Sequence, residues 1–238
     1  MPQPFTDPNV AKRWDADTRH YNPTRPEQLD MMLSIIEVEY QPGNAILDLG
    51  FGSGLVEEMI FKRISGAQVV GVDASQAMMN LAHERLQPYA AQYTAIEHDL
   101  RDLRTLPAEL GAFPFIISIQ ALHHLSDSEM QVAYHCIHDL LSPGGLFLLL
   151  DRVAIDKPAL FSVYQTLWRW QDQQYDSHVA DAEGATFPEH LEKCEHRADI
   201  PLPLERHLEL MHEVGLHGTC IHAHGIRALF AARKSPAG

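Results

Sequence analysis

The sequence predicts an α/β protein, doubly wound about a mostly parallel seven-stranded sheet, with a C-terminal hairpin and a helical insertion. Three observations predict it. Strand-like and helix-like segments alternate between residues 45 and 151, as parallel strands joined by helical crossovers must. The runs "VVGV", "FIISI" and "LFLLL" are apolar at consecutive positions, which suits strands buried on both faces. The end of the chain, "GTCIHAHGIRALFAARK", reads as two strands joined at His224-Gly225, a hairpin.

Taken in order, residues 1–26 are polar and interrupted by Pro2, Pro4, Pro8, Pro23 and Pro26, and are read as an arm outside the core. "EQLDMMLSIIEVEY" places Leu29, Met32, Leu33, Ile36 and Tyr40 at spacings of three and four, which makes an amphipathic helix. After "QPG" come the strand "AILDLG", the helix "LVEEMIFKRI", the strand "AQVVGVD", the helix "SQAMMNLAHERL" and the polar strand "YTAIEHD". The strand "FPFIISI", the helix "SDSEMQVAYHCIHDLL" and, past "SPGG", the strand "LFLLLD" follow. Residues 27–151 and 204–238 therefore form the core. From 152 to 203 the alternation stops. "KPALFSVYQTLWRWQDQQY" sets Leu160, Val163, Tyr164, Leu167, Trp168, Gln171 and Tyr175 on one helix face. A polar, His-rich stretch runs to Pro203, after which "LERHLELMHEVG" resumes as an amphipathic helix.

Composition narrows the function classes. The 238 residues are 45% apolar, enough for one large core, and carry a formal net charge of -14. That charge argues against a nucleic-acid binder, whose phosphate contacts need clustered Lys and Arg. No apolar run has the length of a membrane span and the first residues lack a secretory pattern, so no membrane partner is expected and the cytoplasm is the expected location. Cys136, Cys194 and Cys220 are odd in number and lack CxxC spacing, which fits reduced thiols.

The stretch "DLGFGSG" is the most informative. Gly50, Gly52 and Gly54 follow the first strand, where the ligand of an open parallel sheet sits beyond the strand carboxyl ends. Glycine there permits positive φ and removes Cβ atoms that would hold a ligand away from the backbone. Asp73 ends the second strand, one βαβ unit later, where a carboxylate can accept ribose hydroxyls. Ser75 is the better cap for the following helix, leaving Asp73 for that role. A dinucleotide GxGxxG beginning at Gly50 needs glycine at 55, and Leu55 stands there, so a nicotinamide cofactor is disfavoured.

The ordered series "ILDLGFGSG", "VVGVDAS", "EHDL", "IISIQALHHL" and "LLSPGGLFLLLD" resembles the motifs of class I S-adenosylmethionine-dependent methyltransferases, over roughly residues 30–151 and in outline the closing helix and strands. Phe51 and Ser53 depart from the family's common "DLGCGTG". The resemblance implies a Rossmann-like methyltransferase fold with S-adenosyl-L-methionine as cofactor and S-adenosyl-L-homocysteine as product. It implies Asp48, Gly50, Gly52 and Gly54 around the methionine moiety, Asp73 on the ribose, and Asp99, Leu100 and Met78 at the adenine. Gln120 and Ala121 would hold the amino-acid end by their backbone, and Tyr21 would fold over the cofactor. Arg19 and Arg25 are further candidates for its carboxylate.

The sulfonium makes the methyl group electrophilic by itself, so alignment of the acceptor supplies much of the catalysis and a base is optional. His123 and His124, past the fourth strand, and Asp151, ending the fifth, are the candidate bases. Residues 152–203 are expected to cap a small-molecule acceptor, with Tyr164, Trp168 and Tyr175 either lining its pocket or forming the cap's own core. Fifteen histidines without a compact ligand motif lead to the expectation of no metal. His135 and His138 fall outside the stripe Met130, Tyr134, Ile137, Leu141 and are expected to face solvent. Cyclisation or aminocarboxypropyl transfer from the same sulfonium, and a non-catalytic binding subunit, stay open as alternatives. The oligomeric state is expected to be monomer or homodimer.

Overall fold

The computed structural model describes residues 7–107 and 110–236, except for the side chains of 17–21. Helices α1 (Pro8–Tyr21) and α2 (Arg25–Glu39) precede an alternating core of β1 (Ala45–Leu49), α3 (Leu55–Arg63), β2 (Gln68–Asp73), α4 (Gln76–Arg85), β3 (Tyr93–Glu97), β4 (Phe113–Ile119), α5 (Asp127–Leu140) and β5 (Leu141–Arg152). The insertion contributes α6 (Phe161–Tyr175), α7 (Val179–Glu183) and α8 (Phe187–His196), and the chain closes with α9 (Leu204–Glu213), β6 (Leu216–His224) and β7 (Arg227–Lys234). The seven strands run in the order β3-β2-β1-β4-β5-β7-β6. All pairings are parallel except β5 with β7 and β6 with β7, so the predicted sheet and hairpin are both present.

Side-chain alternation builds a core on each face of this sheet. Leu47 and Leu49 of β1 and Phe147 and Leu149 of β5 join Met130, Tyr134 and Ile137 of α5 and Leu210 and Met211 of α9. Their sequence neighbours Ile46, Leu146, Leu148 and Leu150 point the other way, onto Leu29, Met32 and Ile36 of α2 and Ile60 of α3. Consecutive apolar residues are needed because both faces are covered.

Three local expectations change. The arm is helical over Pro8–Tyr21: Pro8 opens α1, Pro23 lies between the helices and Pro26 sits in the first turn of α2, where a missing N–H costs nothing; Pro2 and Pro4 lie outside the described residues. Strand β5 begins at Leu141 rather than 146, because Leu141 pairs with Phe113 while "SPGG" bulges out before Leu146 pairs with Phe115. The His-rich stretch holds α7 and α8; Thr186 accepts a hydrogen bond from the Glu189 N–H and caps α8, a T-x-x-E signal in "TFPE". His135 is exposed, as expected, whereas His138 is half-buried rather than solvent-facing.

Candidate functional site

A cleft of about 320 Å³ opens at the carboxyl ends of β1, β2 and β4. Its floor is the loop 50–54, in which Gly50, Gly52 and Gly54 all take positive φ. A Cβ on Gly50 would lie 2.2 Å from the Ala121 Cβ, whereas one on Gly52 would meet only the Gly50 carbonyl, at 4.0 Å. Gly50 thus lets the β1 and β4 loops touch, and Gly52 leaves bare backbone toward the cleft.

Asp73 holds this floor. One of its oxygens, Oδ2, accepts the Gly52 N–H at 2.9 Å and the other, Oδ1, the Ser75 N–H at 2.8 Å. Ser75 caps α4 as expected, its Oγ accepting the Met78 N–H, yet this does not leave Asp73 unengaged: the carboxylate ties two backbones and has its remaining lone pairs for a ligand. Burial raises its pKa against these hydrogen bonds, which lower it.

The expected residues Asp48, Gly50, Gly52, Asp73, Met78, Asp99, Leu100, Gln120 and Ala121 all line the cleft. Gly54 does not; it starts α3 and packs against Leu86 and Ala82. Asp99 caps the turn after it and pairs with the Arg101 guanidinium. Asp48 is buried beside Glu57, and neither carboxyl makes a hydrogen bond of normal geometry to the other. Burial, then the Glu57 charge, raise the Asp48 pKa well above the usual range. The side chains of Tyr21 and Arg19 lie outside the described residues.

Arg25 also lines the cleft. It is buried, stacks on Trp14 with its guanidinium carbon 5.3 Å from the ring centroid, and its Nε has no partner among the described residues. Burial pushes its pKa down to about 10 despite Asp15. Gln120 Nε2 is another buried donor without a partner, on a residue held at φ 56°, a conformation costly outside glycine. Helix α1 is latched over the floor: Arg85 Nη2 binds Asp15 at 2.7 Å, Arg85 Nη1 binds Ser53 Oγ at 2.7 Å, and Ser53 hydrogen-bonds Asp15.

The far wall combines the turn 122–124 with the insertion. The Ile200 N–H donates to the His123 carbonyl at 2.6 Å, and His124 Nδ1 lies 2.9 Å from the Ala198 carbonyl, which can only accept. That bond leaves the Nε2 lone pair of His124 available. Burial and the adjacent His123 charge push the His124 pKa down to about 4, so its imidazole is neutral at neutral pH.

The other two candidate bases are corrected by this geometry. His123 and Asp151 do not line the cleft. His123 Nδ1 meets Asp151 Oδ1 at 2.5 Å, its N–H donates to Asp151 Oδ2 at 2.9 Å, and its Nε2 lies 3.4 Å from Asp199 Oδ1. Burial opposes the imidazolium, but the two aspartates outweigh it and push the pKa up to about 9. A protonated ring between two carboxylates cannot serve as a base near neutral pH.

The insertion aromatics are corrected in the same way, for none of Tyr164, Trp168 and Tyr175 is on the cleft wall. Trp168 is buried with Ile155, Phe161, Val179 and Ile226, and Tyr164 packs on that cluster; Tyr175 is exposed. Trp168 and Tyr164 thus belong to the insertion's own core, and Ala198 and Ile200 reach the cleft instead. No pattern in the sequence marks Ala198 or Ile200. Trp14 was missed among the prolines of the arm, although an aromatic at a helix spacing ahead of the first core helix was a usable signal.

Two groups of side chains have metal-like proximity, His123 with His124 and Asp199, and Glu183 with His190 and Cys194. Their carboxylates already serve guanidiniums. Arg152 binds both oxygens of Glu183 at 2.9 and 2.8 Å, and Arg197 binds Asp199 at 2.9 Å. A divalent cation would have to displace these cations, which opposes metal binding at either place.

Residues 46–145 match a family model described as a methyltransferase domain. An uncharacterized methyltransferase of Synechocystis is 31% identical over 50% of the chain and 52% of its own length. One from Anoxybacillus flavithermus is 24% identical over 86% of the chain and 85% of its length. The chain spans about half the length of several curated relatives it matches. Among solved structures, magnesium protoporphyrin IX methyltransferase from Synechocystis, with bound SAH, superposes with a TM-score of 0.62 at 15% identity, covering 91% of the chain and 86% of that protein. At that identity the likeness is one of fold. Among the described residues, no helix is long and apolar enough to cross a membrane.

Proposed function

We propose that this chain, a member of the class I S-adenosylmethionine-dependent methyltransferase family, transfers a methyl group from S-adenosylmethionine to a small-molecule acceptor bound against His124. The observation that carries this reading is the set of unpartnered buried atoms around one cleft, Gln120 Nε2, Arg25 Nε and Asp48 Oδ1, beside a Gly52 backbone that no side chain covers. Buried polar groups are normally satisfied, and a cofactor with an ammonium and carboxylate at one end and a nucleoside at the other satisfies these. Arg25 suits the carboxylate, Asp48 the ammonium and Asp73 the ribose, while Met78 and Leu100 bound the base.

When bound, S-adenosylmethionine supplies an electrophilic methyl group on its sulfonium. The protein's part is to orient both partners and exclude water. Helix α1, latched through Asp15, covers the cofactor side with Trp14, and Arg25 at the start of α2 joins it. Ala198 and Ile200 close the acceptor side, and a wall made by the insertion favours a small molecule over a flat macromolecular surface. His124 Nε2 accepts the acceptor's proton or holds its O–H or N–H in line. His123, fixed by Asp151 and Asp199, keeps the turn carrying His124 in place.

Thermal melting with S-adenosylmethionine, S-adenosylhomocysteine or NADH tests the cofactor. Stabilisation by the two sulfur compounds alone is expected, about 2.7 kcal/mol at a hundredfold excess over Kd; stabilisation by NADH alone overturns the reading. With an acceptor found by screening, the product should be S-adenosylhomocysteine, whereas methylthioadenosine would indicate aminocarboxypropyl transfer or cyclisation. His124→Ala is then expected to lower kcat by about 100-fold with unchanged cofactor affinity. The wild-type rate should fall only below about pH 4, where His124 gains a proton. An unchanged kcat in the variant removes His124 from the reaction.

A further inference from the structure

A second, smaller cavity lies apart from the glycine loop. Its volume of about 10 Å³ holds one water-sized sphere, and its walls include Asn22, Thr24, Trp168, Gln171, Glu183 and Arg227. Arg227, the first residue of β7, is only 8% exposed. Its Nη1 reaches the Ile226 carbonyl at 3.5 Å and its Nε has no partner. Among the described residues it forms no ion pair. Burying a guanidinium in this way is costly unless an anion meets it.

The neighbouring carboxylates cannot be that anion, because each is committed elsewhere. Glu183, on the same wall, takes two hydrogen bonds from Arg152, a third from Arg197 at 3.1 Å, and lies 3.3 Å from His190 Nδ1. Asp151 is used by His123 and by the Arg152 N–H, and Asp199 by His123, Arg152 and Arg197. The buried carboxylates Asp151, Glu183 and Asp199 therefore face the buried side chains of Arg152, Arg227, His123 and His190. Burial opposes charge on both histidines, yet their neighbours push each pKa up to about 9. Of these four cations, Arg227 is the one without a hydrogen-bonded or ion-paired carboxylate among the described residues. A water molecule would satisfy Nε without supplying charge.

We propose that this cavity binds a single monatomic anion, chloride in most solutions, with the Arg227 guanidinium as its main donor. Trp168, Gln171 and Asn22, whose side chains carry N–H groups, line the same cavity, and Asn22 Nδ2 spends one N–H on Gln28 Oε1 at 3.4 Å. The Glu183 carboxylate on the same wall is offset by its paired hydrogen bonds to Arg152. The small volume excludes phosphate and sulfate, and seating a halide, which is somewhat larger than water, requires the lining side chains to shift outward. In place, the ion would staple the start of β7, helix α6 and the segment leading into α2.

Two measurements on the full chain test this. The melting temperature is expected to rise when gluconate is replaced by chloride at fixed ionic strength, by about 3 °C at a tenfold excess over Kd. Arg227→Met should remove that dependence and, freed of a buried cation, be no less stable than the wild type in gluconate. In crystals of the unaltered chain soaked in sodium bromide, an anomalous peak is expected in contact with the guanidinium, which keeps the proposal testable if R227M does not fold. Equal melting temperatures in the two salts, a chloride dependence that survives in R227M, or bromide peaks confined to other places would each overturn it.

Discussion

At the carboxyl end of β1, Asp48 Oδ1, Gln120 Nε2 and Arg25 Nε are buried without partners, whereas at the same end of β5 both oxygens of Asp151, Glu183 and Asp199 are engaged. The two rims lie in one sheet and are similarly buried, yet one withholds hydrogen-bonding capacity while the carboxylates of the other have consumed theirs. The first is arranged to gain by taking a ligand. The second is arranged to hold the insertion, and its satisfied ion pairs would have to break before anything else could bind. A charged cluster at a strand end is therefore read by what its atoms lack, not by which residue types are present.

The comparison can be broken most sharply at Glu183. Glu183→Ala leaves the buried Arg152 with Asp199, at 3.3 Å, as its only carboxylate contact and is expected to cost about 3–5 kcal/mol in urea unfolding; a loss below about 1 kcal/mol would mean that the network does not hold the insertion. A pH series comes next. His123 and His190 have folded pKa values raised to about 9 from an ordinary 6.5. Their stabilisation is complete below about pH 6.5 and is lost as pH rises through about 9, on the order of 3 kcal/mol for His123. Unfolding at pH 7 and 9.5 should show this fall, and His123→Asn should reduce it.

On the glycine side the expected effects on stability are smaller and those on ligand larger. Gly50→Ala combines a φ of 87° with a Cβ 2.2 Å from Ala121. We expect about 1–3 kcal/mol of lost stability and more than tenfold weaker binding of S-adenosylhomocysteine by calorimetry. Unaltered binding would separate the loop from the ligand. The smallest effect is expected at the surface: Arg206→Gln removes solvent-facing pairs with Asp127 at 2.8 Å, Glu213 at 3.1 Å and Glu209 at 3.3 Å and should change stability by less than about 1 kcal/mol.

The order of strands and helices, the two-faced core and the glycine floor were legible because each is a local pattern. Burial on both sheet faces writes consecutive apolar residues, one face of a helix writes a spacing of three and four, and positive φ writes glycine. Thr186 with Glu189, and Pro8 at the start of a helix, were equally local and could have been read. His123 and His124 could not be told apart, since adjacent residues of the same type differ here only in facing Asp151 and Asp199, 28 and more residues away, or the Ala198 carbonyl.

The same limit explains the aromatics of α6. Their spacing showed that one face is apolar, but a pocket and a private core write the same stripe, and only the packing of Trp168 on Phe161 and Ile226 decided for the core. By itself, then, the sequence determined the fold, the glycine floor and the family resemblance. Tertiary structure alone decided which histidine keeps a free lone pair, which insertion residues wall the cleft and which buried arginine lacks a counter-charge. Local backbone preference and burial act over neighbouring residues, whereas protonation and charge balance depend on partners that the chain brings together only when folded.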